Sequence, residues 1–476
     1  MRIKIILLAC SLVLISCGTK YELTEWRQTS QATIWQDCLT NRQAIAQSEG
    51  LPQRVVCAHL DDKRQVVDGF GACFNELGWS ALSCLKASDR DQILRELFTP
   101  GVGANFNICR MPIGANDFSL SWYSYDETPG DFDLTDFSIE HDRQTLIPFI
   151  HAALKCNPEL RLWASPWSPP TWMKSNNYYA CRPSAQWNKL AGDESYNSEG
   201  VDIFIHEHKY LDAYARYFSK FIQAYREEGI SVFAVAPQNE FNSCQIFPSC
   251  TWTAKGLNEF VGKYLGPQME HDSVQVILGT VERGNTSLID TLLTDPYSKK
   301  YISWVGFQWA GKHAIEQIQK KYPDMKLMQT ESECGNGLND WNQCVYIWNL
   351  MKHYFDCGAS VYEYWNIALL DSAISTWGWR QNSLVTIYKQ SQSYKYNDEY
   401  YLMKHISRYV QSGARRVMIT DDQTNSLAFE NPDGSVVIVL YNNLDQQSSI
   451  QISVADQHFK GTMAALSFNT FVFKQI

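Results

Sequence analysis

Val232-Phe-Ala-Val-Ala-Pro-Gln-Asn-Glu240-Phe is the stretch from which the fold can be read. Its first five residues form a short apolar run of the kind that builds a strand buried on both faces. The run ends on a carboxylate. Lys326-Leu-Met-Gln-Thr-Glu331-Ser repeats the arrangement further along. An ionised acid at the end of a buried strand needs a partner or water, so packing explains neither glutamate. A structural ion pair would account for either one alone; two, at the ends of different strands, point to acid chemistry.

On either side of these two runs, short apolar runs alternate with amphipathic stretches from about residue 66 to 405. The spacing predicts strands at 65–70, 105–111, 160–164, 232–236, 274–279, 302–307, 326–329 and 360–364. Helical patterns lie between them at 89–98 (capped by Ser88), 210–228, 257–269, 314–321 and 342–355. Eight strand-helix units in this length predict an α/β fold, a (β/α)8 TIM barrel. A doubly wound sheet fits less well, because no Gly-rich phosphate loop follows any strand. Beyond Arg408 the pattern changes to β-branched, alternating runs at 417–420, 426–430, 435–441, 449–454 and 470–473. Turn signals such as Asn431-Pro-Asp-Gly434 separate them, so residues 406–476 read as a small antiparallel β-sandwich. Residues 18–65 fit no barrel unit and are expected to add strands to it. Residues 175–209 form a polar, aromatic insertion expected to line the mouth of a site.

The 476 residues carry a formal charge of −10, which argues against a nucleic-acid partner. Sixteen Trp and 25 Tyr exceed what a core requires, and such rings stack well on sugar faces. Residues 1–17 read as a lipoprotein signal: charge at Arg2 and Lys4, an apolar stretch too short to span a bilayer, then Leu14-Ile-Ser-Cys17. Cys17 would be lipidated, placing an exported bacterial lipoprotein in the cell envelope, on the outer-membrane surface or the periplasmic face, with the anchor its one membrane contact. Cys244 with Cys250, and Cys334 with Cys344, are close enough in sequence to bridge, but connectivity stays open. His206-Glu-His208 does not put both rings on one helix face. It reads as a solvated helix start, and no metal site is expected.

Nearly every predicted barrel strand ends in polar or aromatic residues. The ends are Asp68 to Asn75, Arg110 to Asp117, Ser165-Pro-Trp-Ser-Pro-Pro-Thr-Trp172, Asn239-Glu240, Gln308-Trp309, Glu331 and Trp365-Asn366. In a barrel these C-terminal ends carry the catalytic groups. Glycoside hydrolysis needs two such acids. No cofactor is called for, because two carboxylates can supply both proton transfer and covalent chemistry.

These segments resemble glycoside hydrolase family 30, which includes the glucosylceramidases. The likeness runs through Gly69-Phe-Gly71, Arg110 to Ser119, Ser165 to Lys174, Ala236-Pro-Gln-Asn-Glu240, Thr330-Glu331 and Trp365-Asn-Ile-Ala-Leu369. It implies a retaining β-glycosidase with Glu240 as acid/base and Glu331 as nucleophile. Thr330-Glu-Ser-Glu333 offers two acids of equal strand parity; the family motif favours Glu331 and leaves Glu333 either to support the site from behind or to a loop ion pair. The resemblance also implies Asn239 on the sugar 2-hydroxyl and Asp117 on other hydroxyls. Trp167, Trp309 and Trp365 would wall the sugar, while Arg110 would hold the nucleophile or form a buried ion pair. Phe307-Gln-Trp-Ala310 departs from the family's usual histidine-containing segment. The expected substrate is a β-linked glucan, with endo-acting β-1,6-glucanase activity preferred and the protein a monomer. Glucosylceramidase, β-glucosidase and xylanase activities are the alternatives within the family. An inverting hydrolase and a non-catalytic glycan-binding lipoprotein are the rivals outside this reading.

Overall fold

The computed structural model describes residues 20–39 and 50–476; the expected signal segment and Cys17 lie outside them. The chain begins in a sandwich, with β1 (Tyr21–Ser30), β2 (Gln36–Asp37) and β3 (Gln53–Val66). It then builds eight parallel strands: β4 (Gly69–Cys73), β5 (Ile108–Ile113), β6 (Arg161–Pro166), β7 (Val232–Val235), β8 (Gln275–Val281), β9 (Ile302–Gln308), β10 (Lys326–Glu331) and β11 (Val361–Asn366). Neighbours follow chain order from β4 to β10, and β11 lies beside β4. A Leu327–Ala359 bridge and a 2.8 Å bond from the Ser360 N–H to the Leu327 carbonyl close the ring between β10 and β11. The (β/α)8 barrel read from the sequence is therefore the fold.

Its strands are buried on both faces. Inside, Ile108, Trp163, Ala234, Ile277, Trp304, Met328 and Val361 fill the barrel. Outside, helices cover it with one apolar stripe each. In the helix His208–Glu227, Leu211, Tyr214, Ala215, Phe218, Phe221, Ile222 and Tyr225 are buried, and they recur at the helical period. Truncating one such ring, Phe218→Ala, removes packing worth roughly 3–5 kcal/mol.

Several boundaries differ from the sequence reading. The strand expected at 65–70 is split, because residues 65 and 66 finish β3 and the barrel strand is Gly69–Cys73. Gly71 permits it: a Cβ there would overlap the Ile108 carbonyl oxygen, so only glycine lets β4 lie this close to β5. The helix assigned to 89–98 starts at Ala87, which places Ser88 inside its first turn, and Lys86 before it makes no side-chain cap. The helix expected at 257–269 runs as Ala254–Phe260, a π turn Val261–Leu265 and Gly266–Asp272. Pro267 has no N–H to continue an unbroken ladder there. All four cysteines offered as bridge partners are free thiols. Those of Cys244 and Cys250 turn to different backbone carbonyls, Tyr196 and Thr251.

After a small sheet of β12 (Ala368–Leu370), β13 (Val385–Tyr388) and β14 (Ser393–Tyr396), the chain returns to the sandwich. It adds β15 (Arg415–Asp421), β16 (Ser426–Glu430), β17 (Val436–Asn442), β18 (Ser448–Val454), β19 (Gln457–Met463) and β20 (Ser467–Gln475). The order β19-β18-β3-β15-β16-β17-β20-β1-β2 joins both ends of the chain in one nine-stranded sheet. Pairing is antiparallel except between β3 and β18, which run parallel. The sandwich has its own core around Trp26, Ile438, Ile452 and Phe473. His405, on the helix Asp398–Ser407, reaches from the barrel to Thr29 and Thr470 of the sandwich, 2.9 Å from each hydroxyl.

Candidate active site

The ends of β5, β7, β8, β9 and β10 meet at one rim of the barrel. Glu331 is the last residue of β10, and Glu240 sits in the turn after β7 with a left-handed φ of 45°. That backbone is costly for a non-glycine residue. The turn is held by the Glu240 N–H donating to Thr280 Oγ1 (2.9 Å) and the Ser243 N–H donating to the Glu240 carbonyl (2.8 Å).

One side chain spans the two acids. Gln308, the last residue of β9, donates through Nε2 to Glu240 Oε1 (3.1 Å) and to Glu331 Oε2 (3.2 Å). Both bonds leave one nitrogen, so the two oxygens lie no further apart than those bonds laid end to end. A separation of ~5–5.5 Å between the carboxyl groups, as in retaining glycosidases, fits within that reach.

Beneath the pair, Arg110 is fully buried. It donates to Glu331 Oε2 (2.8 Å), Asn239 Oδ1 (2.6 Å) and Ser165 Oγ (2.8 and 3.1 Å). Its guanidinium lies 4.3 Å from the Trp167 ring centre. Both readings of Arg110 thus describe one residue: a buried ion pair, and the ion pair of Glu331. Asn239 spends its oxygen on Arg110, Thr280 and Gln308, which leaves its NH2 for a ligand. Trp309 donates its indole N–H to Glu331 Oε1 (3.3 Å). Asp117 lines the cavity with one buried oxygen unpartnered. Glu333 points away, paired with Lys312 and bonded by the Tyr346 hydroxyl (2.6 Å).

Burial lifts Glu331 to about 7 against the pull of Arg110, and the Glu240 charge adds to the lift. Burial also raises Glu240, opposed by the Gln308 amide and the Ser243 hydroxyl. Two acids this close do not both ionise easily. Of the two, Glu331 alone holds a guanidinium at hydrogen-bond distance, so the charge rests there and the proton on Glu240.

Asp117, Trp167, Asn239, Glu240, Glu331 and Trp309 open onto a cavity of about 510 Å³. That volume is in the range of small-ligand sites. Two expectations change. Trp365 is buried under Trp167 at 5.6 Å, supporting the wall rather than forming it. The insertion at 175–209 is not one of the walls, which come from 239–247, 282–283, 309–310, 335 and 379–381. It braces them from behind. Buried Lys174, just before it, donates to the Tyr179 and Ser249 carbonyls (2.7 Å each), and Glu199 pairs with Arg283 at 3.0 Å. Glu207 and His208 are exposed at the start of the helix His208–Glu227, while partly buried His206 pairs with Asp202 at 3.3 Å. Among the described residues no His/Cys/Asp/Glu cluster could hold a metal ion.

Sequence reasoning gave Gln308 a place at a strand end but no role, and passed over Thr280 and Glu282. Glu282 follows the apolar run of β8 as Glu240 follows that of β7, and that signal was available. Gln308 had only its place beside Trp309 to recommend it.

The fold and the paired acids define a barrel glycosidase, and comparison with known families agrees. Residues 67–410 match the glycosyl hydrolase family 30 TIM-barrel domain and residues 413–471 its β-sandwich domain. The chain belongs to glycoside hydrolase family 30. It is 28% identical over 450 residues to lysosomal acid glucosylceramidase of Mus musculus, covering 87% of this chain and 82% of that one. It is also 28% identical over 433 residues to endo-1,6-β-D-glucanase BGN16.3 of Trichoderma harzianum, covering 86% and 84%. The solved structure of the endo-β1,6-glucanase BT3312 superposes with a TM-score of 0.79 at 23% identity, covering 94% of this chain and 99% of that one.

Proposed function

We propose that this glycosidase is a retaining β-glycoside hydrolase acting on β-1,6-linked glucan. Glu240 protonates the leaving oxygen while Glu331 attacks the anomeric carbon; Glu240 then takes a proton from the water that releases the sugar. The observation that carries the mechanism is the Gln308 amide bonded to both acids, with Arg110 on Glu331 alone. Asn239 offers its NH2 to the 2-hydroxyl, and Asp117, Trp167 and Trp309 hold the rest of the ring.

One observation favours a sugar over a lipid as leaving group: the cavity around Glu240 is lined by polar Ser243, Gln245, Glu282, Arg283 and Arg380 together with the rings of Phe247, Trp309 and Trp379, a mixture that suits hydroxyls and sugar faces. Relatives named as endo-1,6-β-glucanases and as glucosylceramidases both align across most of the chain. Export through a lipidated Cys17 and action as a monomer at the cell envelope complete the proposal.

The test is a screen of pustulan, β-1,3- and β-1,4-glucans, xylan and glucosylceramide, with Glu240→Gln and Glu331→Gln as controls. Reducing ends should appear from pustulan, and losing the proton donor should cost ~10²–10⁴-fold. Faster release from glucosylceramide or xylan would replace the substrate assignment. Binding with no release would replace the enzyme by a glycan-binding protein.

A further inference from the structure

Away from the hydrogen bonds of the two acids, the cavity has an aromatic corner. Phe247 and Trp379 both line it, and their rings meet edge to face with centres 4.4 Å apart. Phe247 belongs to the loop that leaves the Glu240 turn, where the Ser243 N–H donates to the Glu240 carbonyl at 2.8 Å. That loop is held by Asn188 Nδ2, which donates to the Ile246 carbonyl at 2.9 Å, and by the Cys181 N–H on the Gln245 carbonyl at 3.1 Å. Phe247 is buried and Trp379 partly exposed, so Phe247 backs the indole and the open part of the indole faces the cavity.

Trp379 comes from residues 371–384, which join β12 to β13. The Ser375 N–H donates to the Trp379 carbonyl (2.8 Å) and the Gln381 N–H to the Ala373 carbonyl (3.0 Å), folding the segment on itself. Trp377 turns inward against Trp122, with ring centres 4.6 Å apart. Gly378, between the two tryptophans, has a φ of 96°, and a Cβ on it would lie 2.1 Å from the ring of Trp187. Only glycine lets the segment pass so close to that indole. The Trp379 indole N–H has no hydrogen-bond partner among the described residues. Packing therefore sets this ring in place, through Phe247 and through the segment seated on Trp187.

We propose that Trp379 is the stacking platform for the leaving-group sugar, and that Trp187 is a positioning residue for it. The indole covers the apolar face of the glucose unit beyond the bond that Glu240 protonates. The proposal rests on Glu240 being the proton donor and on a glucan substrate. The platform acts a second time once the first product has left. A sugar held there competes with water for the glycosyl-enzyme: its 6-hydroxyl oxygen bonds to the anomeric carbon, the bond from that carbon to Glu331 breaks, and the hydroxyl proton passes to Glu240. The product is then a lengthened chain instead of a hydrolysed one. Both products leave the same glycosyl-enzyme, so a defect in the acids or in folding scales them alike. Water needs no platform, and the ratio of transfer to hydrolysis reads the platform itself.

The test gives β-1,6-linked glucotetraose to the full-length protein and measures, by chromatography at matched conversion, the products longer and shorter than the substrate. Loss of the ring in Trp379→Ala should lower the transfer-to-hydrolysis ratio ~3–10-fold. Trp379→Phe keeps a ring and should restore most of the ratio. Trp187→Leu should lower it in the same direction by a smaller factor. The platform is overturned by an unchanged ratio in Trp379→Ala, by a fall as large in Trp379→Phe, or by a wild type that forms no transfer product at any tetraose concentration. An unchanged ratio in Trp187→Leu overturns the positioning role. A wild type that leaves the tetraose intact while releasing sugar from xylan or glucosylceramide would instead overturn the glucan reading on which the platform rests, so the two failures are distinguishable.

Discussion

Replacing Arg110 by methionine is the perturbation whose size follows most directly from the structure. The guanidinium is fully buried, bonds Glu331 at 2.8 Å, and has no other carboxylate within ion-pair distance among the described residues. A hydrogen bond to a charged group contributes ~1.5–3 kcal/mol, and one pKa unit is about 1.4 kcal/mol. Burial now gives Glu331 a value of about 7. Without the guanidinium it should hold its proton ~1–2 pH units higher. As the proposed nucleophile, Glu331 reacts only when ionised, so the acid limb of kcat/KM should move up by the same ~1–2 units. Well below both limbs the rate should fall ~10–100-fold. The assay is initial reducing-end release from pustulan between pH 4 and 10. Near-UV circular dichroism should establish that the variant keeps its packing. A folded variant whose acid limb stays within about 0.3 unit of wild type would refute the reasoning, since Arg110 would then not be stabilising the Glu331 charge.

Gln308→Leu removes the donor shared by both acids and should lower kcat ~10–100-fold with little change in KM, measured on the same substrate. His405 is buried between two threonine hydroxyls, and burial pushes it down to about 3. Its folded value lies below the unfolded ~6.5, so its contribution is complete above that pH. It is lost as pH falls toward 3, at about 1.4 kcal/mol per pH unit. Urea unfolding at pH 7, 6 and 5 should show that slope for the wild type and a flatter one for His405→Gln. Gly71→Ala should prevent barrel formation, because the added methyl meets the Ile108 carbonyl; soluble protein with normal circular dichroism would contradict this.

The barrel was legible because each of its strands is an apolar run and each helix carries one stripe. Glu240 and Glu331 were legible because an acid ending such a run has no packing reason to be there. Gln308 was not: an amide at the end of β9 gains meaning only when the closed barrel brings β7 and β10 to either side of it. The parallel pairing of β3 with β18 was hidden for a similar reason, since its partner comes from the far end of the chain. The split of 65–70 turned on a backbone approach at Gly71 that no alternation pattern records. The insertion at 175–209 looked like a binding wall by composition. Its polar groups instead go to bracing, as the Glu199–Arg283 pair does.

The proposed attack by Glu331 on sugar carbon, followed by release through water, leaves its mark on the configuration of the first product. Proton NMR within the first minutes of pustulan hydrolysis should show the β-anomer of the new reducing end, with the α-anomer growing in later by mutarotation. An α-anomer formed first would mean a single displacement by water, and Glu331 would not be the nucleophile.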